Sequence, residues 1–96
     1  MLEFNRSVAE DRLRDLAVAM GLNVSGMSVH DAGSAAIDRV RELLKEVGVP
    51  KLLTALGIRR DMIPALSAKA MEDACHTLNP RPCTEADMAA LYEAAL

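Results

Sequence analysis

The sequence predicts an all-α fold: a bundle of four main helices plus one short helix, formed as a single helical domain over residues 1–96. Three observations predict it. Apolar residues recur at helical spacing in four separate stretches. Side chains that favour helix starts and stops bracket those stretches. The apolar content of 51% is mostly Ala, Leu, Val, Ile and Met, with one Phe and one Tyr, which suits helix-on-helix packing better than a β-sandwich.

The first helix signal comes after Met1 to Arg6. Ser7 and Glu10 have the spacing of a capping box, in which each side chain satisfies a backbone donor at the other's position. Leu13, Leu16, Ala17 and Met20 then share a face, and Gly21 supplies a stop. Ser28 and Asp31 repeat the cap pattern before what reads as the longest helix. Its stripe is Ala32, Ala36, Ile37, Val40, Leu43, Leu44 and Val47, closed by Gly48 and Pro50. His30 falls in the first turn among polar neighbours and reads as a solvated histidine.

Residues 50–57 read as a short helix with Pro50 at its first position and Gly57 past its end, its leucines plugging the core. Ile58, Arg59 and Arg60 form a solvated connector. Asp61 is the expected N-cap of the next helix, with Pro64 tolerated in the first turn and Ile63, Leu66, Ala70, Met71 and Ala74 on one face. Thr84 and Asp87 form a further cap signature, and Met88, Leu91, Tyr92 and Ala95 mark the last helix.

Between these last two helices lies the stretch richest in reactive side chains. It runs Asp73-Ala74-Cys75-His76-Thr77-Leu78-Asn79-Pro80-Arg81-Pro82-Cys83-Thr84, and is expected to be non-helical because of its two prolines. It holds both cysteines and one of the two histidines. A cysteine at a helix C-terminus faces the negative end of the helix dipole, so Cys75 is a poor activated nucleophile despite its neighbour His76. Cys75 reads either as a small buried apolar residue or as an unreactive thiol lining a pocket, and Cys83 as packing. Asn79 and Arg81 surround the stiff Pro80, which suits either a loop lock or a ligand contact. Metal-ligand spacing is lacking, so no metal site is expected.

Other classes are disfavoured. A net charge of −3 with interspersed signs and no aromatic-studded basic face argues against nucleic acid. No apolar run approaches the ~20 residues that span a bilayer. With no leader visible, a soluble cytoplasmic chain with free thiols is expected. Neither a phosphate-binding glycine loop nor a Ser-His-Asp set is present, so the residues alone do not spell an enzyme.

In order along the chain, Leu2-Glu3-Phe4-Asn5, Ala19-Met20-Gly21, Ile37 through Val49-Pro50, Asp61-Met62-Ile63-Pro64-Ala65-Leu66 and the Cys75 to Pro82 loop resemble the C-terminal end of iron-containing (group III) alcohol dehydrogenases. The resemblance covers essentially the whole chain. It implies a two-domain parent in which an α/β domain binds NAD(P) and a helical domain binds Fe2+ or Zn2+. The metal acts as a Lewis acid on the developing alkoxide while hydride passes to the nicotinamide. The chain would be the C-terminal part of that helical metal-binding domain. Its parent's metal ligands, one Asp and three His, would precede the segment matching Met1, and neither His30 nor His76 matches one. Cys75, Asn79, Pro80 and Arg81 match the lining of the substrate and nicotinamide pocket.

The resemblance therefore implies an alcohol/aldehyde oxidoreductase segment, with the nucleotide domain absent and no cofactor expected for this chain alone. The chain is expected to be inactive alone. The alternative is a free-standing helical interaction module derived from that domain. In either case the expected partners are the remainder of the parent enzyme, or a second copy reached through exposed apolar helix faces.

Overall fold

The computed structural model describes all residues, Met1–Leu96. Four α-helices and three short 3-10 turns make up the secondary structure, with no strand, as the sequence predicts. The helices are α1 (Leu2–Ala19), α2 (Val29–Glu46), α3 (Ile63–Glu72) and α4 (Glu85–Ala95). The chain divides into two compact units, Met1–Gly48 and Val49–Leu96.

In the first unit α1 packs on α2. The core consists of Leu13 and Ala17 from α1 with Ala32, Gly33, Ala36 and Ile37 from α2. Small residues dominate it, which lets the two backbones approach. An ideal Cβ built on Gly33 would lie 3.4 Å from the Leu13 Cβ. The end of α1 is the predicted glycine stop. Gly21, at φ 79, lets its own amide bond the Val18 carbonyl and that of Leu22 bond the Ala17 carbonyl. At the start of α2 Ser28 accepts the Asp31 amide at 3.0 Å, the predicted cap.

The start of α1 differs from expectation. The helix begins at Leu2, without a side-chain cap, and runs through Ser7. The Ser7–Glu10 signal coincides instead with a local break, because Ala9 has φ −137 and ψ 25 inside the helix. The Arg6–Glu3 ion pair, 2.8 Å and one turn apart, accompanies the turn that precedes the break. α2, with 18 residues and no break, is the longest continuous helix, as predicted, because α1 is interrupted at Ala9. Its stripe is covered only in its first half: Leu43 and Leu44 are each 43% exposed and Val47 is 65% exposed.

In the second unit α3 packs on α4. Ile63, Ser67, Cys83 and Met88 are buried. The Ser67 hydroxyl is buried with no hydrogen-bond partner. The expected short helix from Pro50 shrinks to one 3-10 turn, Leu53–Leu56. Leu52 is extended and Gly57 takes φ 82, and the four residues between are too few for an α-helical ladder. The leucine plug is likewise not formed, because Leu52 is 45% and Leu56 64% exposed. Asp61 does not cap α3. Its carboxylate takes the Arg59 guanidinium at 3.0 and 3.1 Å, and a 3-10 turn, Arg60–Met62, leads into the helix. Pro64 sits at the helix start as predicted.

The expected connector also carries a specific contact, since Arg60 pairs with Glu93 of α4 at 2.7 Å. Thr84 caps α4 in a full capping box: its hydroxyl accepts the Asp87 amide at 3.1 Å, and the Asp87 carboxylate accepts the Thr84 amide at 2.9 Å.

Candidate functional site

The reactive stretch, residues 73–84, joins α3 to α4 within the second unit. Its first part is more ordered than two prolines suggest. Residues 74–78 form a 3-10 turn, Ala74–Leu78, which ends before Pro80 because a proline restricts only itself and the residue just before it. The Asp73 side chain caps that turn by accepting the Cys75 amide at 2.9 Å. Thr77 closes it by donating its hydroxyl to the Ala74 carbonyl at 2.6 Å.

Cys75 is exposed, which excludes the buried-residue reading. Its thiol is held above its ordinary pKa by a hydrogen bond with the Asp73 carboxylate, then by that charge itself and by desolvation. The thiol is therefore poorly activated, as expected, with a different dominant cause. Cys75 lies at the beginning of a 3-10 turn, and a neighbouring carboxylate suppresses the thiolate. Reciprocally, Asp73 is lowered by the Cys75 backbone and side-chain hydrogen bonds. The sequence does not single out this role of Asp73, although an aspartate ahead of a turn is a recognised capping signal.

His76 is half-buried and turns back to α3, its Nε2 lying 3.2 Å from the Met71 carbonyl oxygen. A carbonyl only accepts, so Nε2 carries hydrogen and satisfies a carbonyl at the helix end. That ring nitrogen is thus occupied by the end of α3.

Further on, Asn79 and Arg81 are brought together. Asn79 Nδ2 donates to the Arg81 carbonyl at 2.5 Å and lies 3.6 Å from the Cys83 sulfur. The Cys83 thiol in turn donates to the Arg81 carbonyl at 3.5 Å. Of the two roles open to Asn79, this side-chain amide serves as a loop lock. Pro80 is exposed on the lock, Arg81 is half-buried, and Cys83 is buried beneath, matching its packing role. Cys75 has its contact with Asp73 and is not drawn into the Asn79 lock.

No three His, Cys, Asp or Glu side chains come together in a way that could hold a metal ion. Both nitrogens of His30 are engaged, by Arg6 and Glu10, and His76 Nε2 faces a carbonyl. The residues of this chain thus do not fit a metal by themselves. No helix is long and apolar enough to cross a membrane. Both cysteines are free.

The sequence model described as "Fe-containing alcohol dehydrogenase family, C-terminal" matches residues 1–96. The lactaldehyde reductase of Escherichia coli K12 is 38% identical over 95 residues, covering 99% of this chain and 25% of that protein. The NAD-dependent methanol dehydrogenase of Bacillus methanolicus is 33% identical over 93 residues, covering 97% of this chain and 24% of that protein. Among solved structures, a 1,3-propanediol oxidoreductase superposes with a TM-score of 0.94 at 29% identity, covering 99% of this chain and 25% of its own. The chain thus spans about a quarter of the length of the relatives it matches. A match over its full length, in sequence and in fold, means that the chain belongs to the iron-containing alcohol dehydrogenase family, as that family's C-terminal helical part.

Proposed function

We propose that this chain contributes one wall of the active site of an NAD(P)- and metal-dependent alcohol dehydrogenase, and that it does not catalyse the reaction alone. The carrying observation is the family match over residues 1–96, which includes the loop with Cys75, Asn79, Pro80 and Arg81. In this reading Cys75, Asn79, Pro80 and Arg81 line the substrate and nicotinamide pocket. Asn79 acts there by shaping the loop, and Cys75 presents a thiol that stays protonated. The nucleotide and the Fe2+ or Zn2+ are held by the other three-quarters of the enzyme. The names of the relatives run from methanol to long-chain alcohol dehydrogenases. With hydroxyacid–oxoacid transhydrogenases also among the relatives, the shared chemistry is an alcohol and its carbonyl partner, with no chain length implied.

A chimera tests this. The C-terminal quarter of the Escherichia coli lactaldehyde reductase is exchanged for this chain, and NAD-linked aldehyde reduction is assayed beside metal content and nucleotide binding. Activity in the chimera, with none from the 96-residue chain alone, is the expected result. A chimera that holds metal and nucleotide yet is inactive overturns the reading, as does NAD-linked alcohol oxidation by the isolated chain.

The exposed Leu43, Leu44 and Val47 on α2 favour a second reading in which the chain associates through apolar surface. Sedimentation velocity of the isolated chain tests it. Association that Leu44→Glu with Val47→Glu abolishes supports this reading, and a monomer at high concentration excludes it.

A further inference from the structure

One side chain of the loop takes no part in the contacts described above. Leu78, which closes the 3-10 turn Ala74–Leu78, is 85% exposed, more than any other large apolar residue of the chain. A single exposed leucine is ordinary on a protein surface. Leu78 differs by its position. Side chains three apart on a 3-10 turn eclipse one another, so Leu78 shares a face with Cys75, which is also exposed.

The polar groups around that face are turned back on the loop itself. The Asp73 carboxylate accepts the Cys75 amide, and the Thr77 hydroxyl donates to the Ala74 carbonyl. His76 Nε2 meets the Met71 carbonyl, and the Asn79 side-chain amide holds the Arg81 carbonyl. The Asn79 backbone amide also bonds the His76 carbonyl at 3.2 Å, which fixes the end of the turn. What the face offers outward is a thiol that keeps its proton and an isobutyl group on a fixed backbone. Such a face suits hydrocarbon better than a hydroxyl, which would exchange water for a weak thiol donor.

Ligand pockets combine an apolar lining with a few polar groups that orient the ligand. We propose that Leu78 is a specificity-determining residue: it touches the carbon chain of the alcohol or carbonyl substrate and favours an unsubstituted chain over one that carries a further hydroxyl. This rests on the active-site wall proposed above, and adds to it a residue and a selectivity.

The chimera with the lactaldehyde reductase tests it with two aldehydes, propanal and lactaldehyde, which is propanal bearing one hydroxyl beside the carbonyl. The readout is the ratio of kcat/KM for the two, a quantity that does not depend on how much of the enzyme is folded. Leu78→Asn replaces the branched apolar tip by an amide of similar shape. It is expected to move the ratio about fivefold towards lactaldehyde, the scale of one hydrogen bond gained by the hydroxyl. Leu78→Met keeps an apolar side chain of similar volume and is expected to leave the ratio within about twofold. An unmoved ratio in Leu78→Asn overturns the inference, and so does a shift of equal size and direction in Leu78→Met. Loss of bound metal and nucleotide in Leu78→Asn also overturns it, because Leu78 would then be packed within the enzyme and closed to substrate. Failure of the wall itself is a different result: a chimera that holds metal and nucleotide and is inactive with Leu78 in place.

Discussion

Asp73 and Cys75 are coupled across two residues: the Asp73 carboxylate accepts the Cys75 amide at 2.9 Å, and the same carboxylate disfavours loss of the proton from the Cys75 thiol. One side chain therefore shapes the start of the loop and sets the reactivity of its exposed cysteine. Asp73→Asn retains a capping acceptor and removes the charge. Alkylation of Cys75 by iodoacetamide near neutral pH is expected to accelerate by about threefold in this variant, the effect of one screened neighbouring charge. Cys83, buried, serves as the internal control and labels only on unfolding. An unchanged Cys75 rate would show that the carboxylate does not govern the thiol.

The close approach of α1 and α2 at Gly33 has room for one methyl group. A Cβ there meets the Leu13 Cβ at 3.4 Å and Cδ1 at 3.8 Å, ordinary contact distances. Gly33→Ala is therefore expected to raise stability by about 0.5–1 kcal/mol, because alanine loses less backbone freedom in a helix. Gly33→Val adds bulk against Leu13 and is expected to cost about 1–3 kcal/mol. Urea unfolding of both variants reads the two signs, and a loss in the alanine variant would refute the packing described.

Ser67 buries a hydroxyl without a partner. Ser67→Ala deletes that desolvated group at little loss of volume, and a gain of up to about 1 kcal/mol is expected in thermal or urea unfolding. A comparable loss would mean that the hydroxyl is hydrogen-bonded in solution.

Acid should weaken the start of α4. Asp87 lies below its ordinary pKa of 3.8 because its carboxylate accepts the Thr84 amide and then the Thr84 hydroxyl. A depressed aspartate stabilises the fold above its unfolded value, and that contribution disappears as pH falls through the lower folded value. Asp87→Asn should flatten this part of the acid limb, leaving the share due to Asp73, which is shifted in the same direction. Thr84→Ala, by removing the cap hydroxyl, is expected to cost about 1 kcal/mol at neutral pH. Stability curves between about pH 2 and 7 test both variants, and an unaltered acid limb in Asp87→Asn would count against the capping box.

Helix boundaries were legible in the sequence wherever a local side chain made them. Ser28, Thr84, Gly21 and Gly48 each act within one turn of their own position, and each ends or starts a helix where predicted. Ser7 and Asp61 carry similar local signals that the structure overrides. At Ser7 the helix has already started at Leu2, and at Asp61 the Arg59 guanidinium takes the carboxylate. Leu52 and Leu56 illustrate another limit: periodicity says which residues share a face but not whether anything covers it.

The candidate site was legible as a place more than as a set of contacts. Prolines marked the loop, yet its opening 3-10 turn depends on Asp73, whose role became clear only from geometry. The imidazole of His30 is exposed, as its polar neighbours suggest, but its contacts with Arg6 and Glu10, 24 and 20 residues away in sequence, were not legible. No local pattern reports a pairing across that distance.

The Asn79 lock has a consequence for how tightly this loop can be engaged. Its side-chain amide is satisfied inside the chain, by the Arg81 carbonyl and the Cys83 sulfur, with no ligand needed to hold it. Residues 79–83 are thus preorganised, and a molecule meeting them does not have to offset the ordering entropy of a floppy segment. Loss of the lock would register first as weaker association, with the same groups present on a loop that has to be frozen afresh at each encounter.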